Sequence, residues 1–132
     1  MNCIFCKIIQ GEIPCQKLYE NERVLAFLDI NPLSKGHFLI IPKTHAEKLH
    51  EIPDAELQDI LIVAKNVINA LNPEEYNLLQ NNGPLAHQEV KHAHFHIIPK
   101  TKTQGLGIIW KSISITKEEL SEIAKKVSSK LN

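Results

Sequence analysis

Three histidines alternate with apolar residues in the run His92-Ala93-His94-Phe95-His96, which continues into Ile97-Ile98-Pro99. Side chains of an extended strand alternate between faces, so this spacing predicts three imidazoles on one face and Ala93, Phe95 and Ile97 on the other. Neighbouring rings would stand about 6.6 Å apart, from roughly 3.3 Å of rise per residue. Imidazole titrates near neutral pH, so such a row suits an anion, a metal ion or proton transfer, and phosphate chemistry is the first candidate. For the middle ring, His94, to attack phosphorus, one nitrogen must keep its lone pair and stay open to substrate. The other nitrogen must then donate to a fixed acceptor such as a backbone carbonyl. A two-step displacement through a labile N–P bond needs no metal. His96 is placed to hydrogen-bond or protonate the leaving atom. Asn81 and Gln88 are neutral donors suited to phosphoryl oxygens.

Cys3 and Cys6 form a second candidate group. A redox pair would follow a strand, and nothing upstream of Cys3 can be one. The spacing fits half of a tetrahedral zinc site, or equally two small residues packing a short N-terminal helix. Cys15 reads as a packing residue.

The elements that position these residues are marked by turn and capping signals. Strands are expected near Gln16 to Glu20, Val24 to Asp29, His37 to Ile41, Tyr76 to Gln80 and Lys91 to Ile98, with Asn31-Pro32, Lys35-Gly36 and Asn81-Asn82-Gly83-Pro84 in the connections. Thr44 with Glu47 reads as a capping box for a short helix from His45 to Leu49. Asp54 caps the main helix, whose core stripe is Leu57, Ile60, Leu61, Ala64, Ile68 and Leu71, and Asn72-Pro73 ends it. Thr116 and Glu119 cap a terminal amphipathic helix, about 117–131, carrying Leu120, Ile123, Val127 and Leu131. Paired strands with two helices between and after them predict an α+β fold on a mainly antiparallel sheet.

Composition narrows the function. The 132 residues, 43% hydrophobic and 23% charged, fit one domain, 1–132, with a genuine core and no second enzyme domain. Fifteen basic residues balance fifteen acidic ones, so no overall positive field holds a nucleic-acid polymer, and a phosphate-bearing partner should be small. No apolar run approaches the length of a membrane span, no signal segment is recognisable, and an odd number of cysteines argues against a disulfide framework. The expected compartment is cytoplasmic.

Four ordered blocks, IFCKIIQGEIP, FLDINPLSKGHFLIIPKTH, NNGPLAHQEV and HAHFHIIP, resemble the histidine triad (HIT) family of nucleotide hydrolases and transferases. The similarity is greatest to the Hint-like branch, among bacterial-type members with an N-terminal C-x-x-C, and runs from about Cys3 to Lys111. It implies a five-stranded HIT-like fold and a homodimer joining two sheets. His94 matches the residue that takes the nucleotidyl group, and His96 the residue that contacts phosphate and leaving group. Asp29 matches the position that holds the ribose hydroxyls, while Ile4, Phe5, Ile8, Phe27 and Ile30 match an apolar pocket for the base. Asn81 and Gln88 match phosphate-side positions, and His37 matches a histidine supporting the site. In members with C-x-x-C the family pattern joins Cys3 and Cys6 with His45 and His92 around a structural zinc, with no cofactor for catalysis. Gly105 to Trp110 is similar to a segment that reaches the partner's active site. His87 stands where many relatives have glycine.

One departure stands out. Glu89 occupies a position where the family usually has serine, and a carboxylate beside a phosphate repels it unless it is protonated, paired or turned away. The activity implied is cleavage of purine nucleoside phosphoramidates or related AMP derivatives through a nucleotidyl-His94 intermediate. The same triad also supports a dinucleoside polyphosphate hydrolase of the Fhit-like kind. A nucleotide-binding regulator with vestigial catalysis is the alternative that Glu89 motivates, and a hydrolase using the triad as metal ligands is the remaining one.

Overall fold

The computed structural model of the protein describes residues 2–131. Five strands, β1 (Lys17–Glu20), β2 (Val24–Leu28), β3 (Phe38–Pro42), β4 (Tyr76–Gln80) and β5 (Phe95–Pro99), form one sheet in the order β1-β2-β3-β5-β4. Every pairing is antiparallel. Helices α1 (Ile4–Ile9), α2 (Asp54–Leu71) and α3 (Lys117–Leu131) accompany it.

Strand alternation sorts the apolar side chains into two clusters. Val24, Ala26, Phe38, Ile40, Phe95 and Ile97 face α2, where they meet Ile60, Val63 and Ala64. Leu25, Phe27, Leu39 and Ile41 face the other way, toward Phe5 of α1. Because both faces are covered, β2 and β3 are apolar throughout rather than alternating. Phe38 is completely enclosed, so Phe38→Ala would cost about 3–5 kcal/mol. His96 lies between Phe95 and Ile97 in β5, and the pleat turns it to the α1 face.

Several expectations need correction. No helix forms over residues 45–49. Thr44 instead donates its backbone N–H and its hydroxyl to the carboxylate of Glu56 on α2, the former at 2.7 Å, which ties the end of β3 to α2. A single 3-10 turn follows at Leu49–Glu51, where the Lys48 N–H donates to the Glu51 carboxylate. Asp54 is the first residue of α2 rather than its cap, a place where its charge still complements the helix dipole. Leu61 and Leu71 of the expected stripe are exposed, and Val63 takes the buried position. Asn72 ends α2 as expected, in the left-handed conformation at φ 58° with its N–H on the Ile68 carbonyl. Thr116 and Glu119 form the expected box at the start of α3. The histidine run differs most: β5 begins at Phe95, so His92 and His94 lie ahead of the strand.

Candidate active site and metal cluster

His92 and His94 are aimed by backbone carbonyls instead of by strand alternation. The segment that carries them is held by the Ala93 N–H, which donates to the Ala46 carbonyl at 2.7 Å. His92 is completely buried, and its Nε2 lies 2.8 Å from the Pro42 carbonyl. A carbonyl only accepts, so Nε2 carries the proton and Nδ1 keeps the lone pair. That lone pair points at sulfur, 3.5 Å from Cys3 Sγ and 3.6 Å from Cys6 Sγ. His45 Nδ1 lies 3.4 Å from Cys6 Sγ.

Helix α1 brings the two thiols together. Cys3 is its N-cap, accepting the Cys6 N–H on Sγ at 3.4 Å, so one helical turn sets the spacing. The four ligand atoms of Cys3, Cys6, His45 and His92 all lie within 4.8 Å of one another. A tetrahedral ion with bonds of about 2.3 Å to sulfur and about 2.0–2.1 Å to nitrogen needs S···N separations of about 3.6 Å, which these approach. The donor set fits a closed tetrahedral metal. Burial and the Cys3 thiol push the Cys6 thiol up, so ion binding there must expel a proton.

His94 presents the opposite nitrogen. Its Nδ1 lies 2.7 Å from the His92 carbonyl and therefore carries the proton, leaving Nε2 with the lone pair. The ring is more enclosed than a free-standing strand residue would be, at 6% exposure, with Phe5 edge-on at 5.0 Å and His96 at 4.9 Å between ring centres. These spacings are closer than strand rise alone predicts. Nε2 has no hydrogen-bond partner among the described residues. Nor is it walled off as Ser34 Oγ is, so this edge of the ring opens to solvent. Burial lowers the His94 pKa, opposed by the bond to the His92 carbonyl and by Asp29 and Glu89, so the ring is neutral at pH 7.

His96 is oriented through His37. The Leu33 N–H donates to His37 Nδ1 at 3.0 Å, so the His37 proton sits on Nε2, which lies 3.0 Å from His96 Nδ1 and 3.5 Å from Asp29 Oδ2. His96 Nδ1 accepts, and its own proton is therefore on Nε2. Burial, then the neighbouring His94 and His37, push the His96 pKa down to about 4. Burial also lowers that of His37, against the pull of Asp29. The arrangement is a neutral nucleophilic imidazole beside a neutral N–H donor, and it can serve two-step transfer at phosphorus.

The other expected site residues are placed unequally. Asp29 is half-buried and accepts the Asn31 N–H at 2.8 Å on Oδ1, with Oδ2 toward His37. Phe5 and Phe27 are enclosed and pack edge-on to each other, behind the histidines, while Ile4 and Ile30 are exposed and Ile8 is half-buried. Asn81 donates to the His87 carbonyl at 3.3 Å. The Gln88 amide is turned inward: its oxygen accepts the Gly83 N–H at 2.7 Å, and its NH2 donates to the Glu47 and Val90 carbonyls. It braces the loop and has no donor left for a phosphoryl oxygen. Glu89 is exposed, 4.0 Å from an equally exposed His87 whose φ of 71° is left-handed, as suits a position where relatives have glycine. The backbone carbonyl expected behind His94 is that of His92, whereas the Pro42 carbonyl and the Leu33 N–H, which leave no side-chain signature, are the groups that sequence reasoning missed.

Comparison with known proteins agrees with this geometry. The chain is 55% identical over 132 residues to the adenosine 5'-monophosphoramidase hnt1 of Schizosaccharomyces pombe, covering 99% of each chain. It is 43% identical to the adenylylsulfatase HINT3 of Arabidopsis thaliana, covering 90% of this chain and 61% of that one. The solved structure of a histidine triad nucleotide-binding protein from Candida albicans superposes with a TM-score of 0.92 at 46% identity, covering 98% of this chain and 97% of the other. The HIT domain family model matches residues 10–103, which include the three histidines, and the chain belongs to the HIT domain family.

Proposed function

We propose that the protein is a nucleotide hydrolase of the phosphoramidase kind, cleaving purine nucleoside phosphoramidates such as AMP amidates. His94 Nε2 attacks phosphorus and the P–N bond breaks; the substrate nitrogen, which takes up a proton from solvent, leaves as the neutral amine, while His96 keeps its proton and donates Nε2–H as a hydrogen bond at the leaving side of the phosphate. Water then attacks the nucleotidyl-histidine, releasing AMP and restoring the neutral ring. Asp29 holds the ribose hydroxyls, with Ile4, Ile8, Ile30 and the edge of Phe27 against the base and Asn81 near the phosphate. His37 positions His96. The observation that carries this reading is the pair of fixed tautomers, a lone pair on His94 Nε2 beside an N–H on His96. It is supported by the phosphoramidase name of the fission yeast relative. The name of the plant relative supports a second reading in which anhydrides of AMP are also cleaved.

The Cys3, Cys6, His45 and His92 set would hold a structural zinc that pins α1 against β3 and leaves no open position for substrate. The chain is further proposed to act as a cytoplasmic homodimer. Among the described residues no helix is long and apolar enough to cross a membrane. Of the two sheet edges, β1 is broken by a register shift between Lys17 and Tyr19, whereas β4 is regular, so β4 is the edge suited to joining two sheets.

The test is rapid-quench turnover of adenosine phosphoramidate followed by mass spectrometry under conditions that preserve N–P bonds. An adduct of one nucleotidyl group on His94 is expected. A His94→Ala protein that still releases AMP at the parent rate refutes the reading.

A further inference from the structure

We infer that Glu89 selects the leaving group, drawing amidates whose departing amine carries a further positive charge and turning away those that carry a negative one. This selectivity rests on the phosphoramidase reading above and adds to it the class of amine that the site accepts. The sheet order fixes where a leaving group must lie. Asp29, which takes the ribose in that reading, follows the end of β2, and His94 and His96 belong to the β5 segment, two strands away. Strand β4 lies one strand further, with Leu79 opposite His96 and Gln80 opposite Phe95, so the loop that leaves its end departs beside the histidines. At roughly 4.8 Å per strand, phosphorus over β5 is about 10 Å from the Asp29 side and only about 5 Å from the β4 side. A nucleotide with its ribose at Asp29 therefore points the group beyond phosphorus at the loop of residues 81–90.

That loop holds Glu89 in place and leaves its charge free. The Gln88 amide closes the loop on the Gly83 N–H and on the Glu47 and Val90 carbonyls. Val90 packs inward, against the cluster of Phe5, Phe27 and Leu39, while the side chain of Glu89 is 82% exposed. Among the described residues the Glu89 carboxylate makes no hydrogen bond and pairs with no lysine or arginine, and the group beside it is the His87 imidazole at 4.0 Å. The negative charge of Glu89 favours the protonated form of His94, and His87 opposes protonation of His96, so both stand within electrostatic reach of the working rings.

The substrate's own charge turns this placement into selectivity. A carboxylate facing a phosphoryl group repels it, and like charges set against each other suppress the wrong partner. A cationic chain on the leaving nitrogen lies between the two and is attracted by both, so the repulsion is cancelled only for that class of amidate. An anionic chain adds a second repulsion. Once the P–N bond has broken and the cation has gone, AMP faces the carboxylate alone, which favours its release.

The experiment measures kcat/KM of the full-length protein for three AMP amidates whose leaving amine is a butylamine chain ending in an ammonium, a hydroxyl or a carboxylate. The charge is then remote from the departing nitrogen, whose basicity is nearly constant across the series. An exposed ion pair changes affinity about 1.4- to 5-fold, and attraction and repulsion multiply, so the parent should prefer the ammonium chain over the carboxylate chain about tenfold. Glu89→Gln should bring that ratio below about threefold, Glu89→Lys should invert it, and added salt should shrink it in the parent. The ratio is read within each protein, so a general loss of activity in a variant cancels. No preference in the parent, or the same preference in Glu89→Gln as in the parent, overturns the role of Glu89 and leaves the histidine chemistry standing. Failure of all three amidates to turn over in the parent overturns the phosphoramidase reading and this selectivity with it.

Discussion

His92 and His94 sit two residues apart on one short segment and offer opposite nitrogens. A carbonyl at the end of β3 takes the Nε2 proton of His92 and turns Nδ1 toward two thiols. The carbonyl of His92 itself takes the Nδ1 proton of His94 and leaves Nε2 facing the opening. The same side chain thus turns a lone pair toward two thiols in one place and toward the opening in the other, as a closed ligand and an open nucleophile respectively would require, and the difference is made by main-chain oxygen atoms. One backbone path, from Pro42 through His92 to His94, builds both.

That contrast can be broken from either side. The largest effect is expected at the open site: His94→Ala should lower kcat/KM for adenosine phosphoramidate by at least about 10³-fold while leaving bound zinc unchanged, measured by steady-state assay and metal analysis. On the closed side, His92→Ala should release the metal, with affinity falling by more than the roughly 10–100-fold that loss of an outer hydrogen bond to a ligand causes. Competition with a chelating dye reads this directly, and retention of one tightly held zinc would remove His92 from the set.

His37 sharpens the comparison because it orients without touching the reacting atoms. His37→Ala should cost about 10–100-fold in kcat, the range seen when orienting partners are removed, with little change in KM. His37→Gln, which can still donate to His96 Nδ1, should recover part of it. A structural role alone would move stability without that recovery.

Acid stability probes the open side as a whole. His96 is held at about 4 against an ordinary 6.5, so the unfolded chain binds a proton that the folded chain refuses. Stability should therefore fall as pH drops from about 6.5 to about 4, by about 3 kcal/mol from this residue. Urea unfolding at pH 7 and pH 5 should show a smaller loss in His96→Gln than in the parent, and equal losses would refute the assignment. The smallest effect is expected at the rim: His87→Gly relieves a left-handed histidine and should stabilise by about 0.5–1 kcal/mol in the same assay.

Much of the sheet was legible because β2, β3 and β4 are bounded by strong turn signals and carry continuous or alternating apolar residues. The end of α2 at Asn72 and the box at Thr116 were legible because capping chemistry is local. The helix expected at His45 failed because Thr44 found a distant carboxylate, Glu56, which no local pattern announces. The run of three histidines is conspicuous in the sequence, but the common face expected of them does not form: only His96 is in the strand, and the other two take direction from carbonyls far from them in sequence or invisible in it. Gln88 was read as a phosphate donor from its type and place, whereas three backbone partners claim its amide.

The inward amide has a consequence for ageing of the protein. An amide at position 88 supplies one acceptor and two donors at once, and the carboxylate that differs from it by a single atom supplies acceptors only. Gln88→Glu, or spontaneous deamidation of the same side chain, would set negative oxygen against the carbonyls of Glu47 and Val90. The connection between β4 and the histidine run would then spring loose with hardly any change in shape or volume.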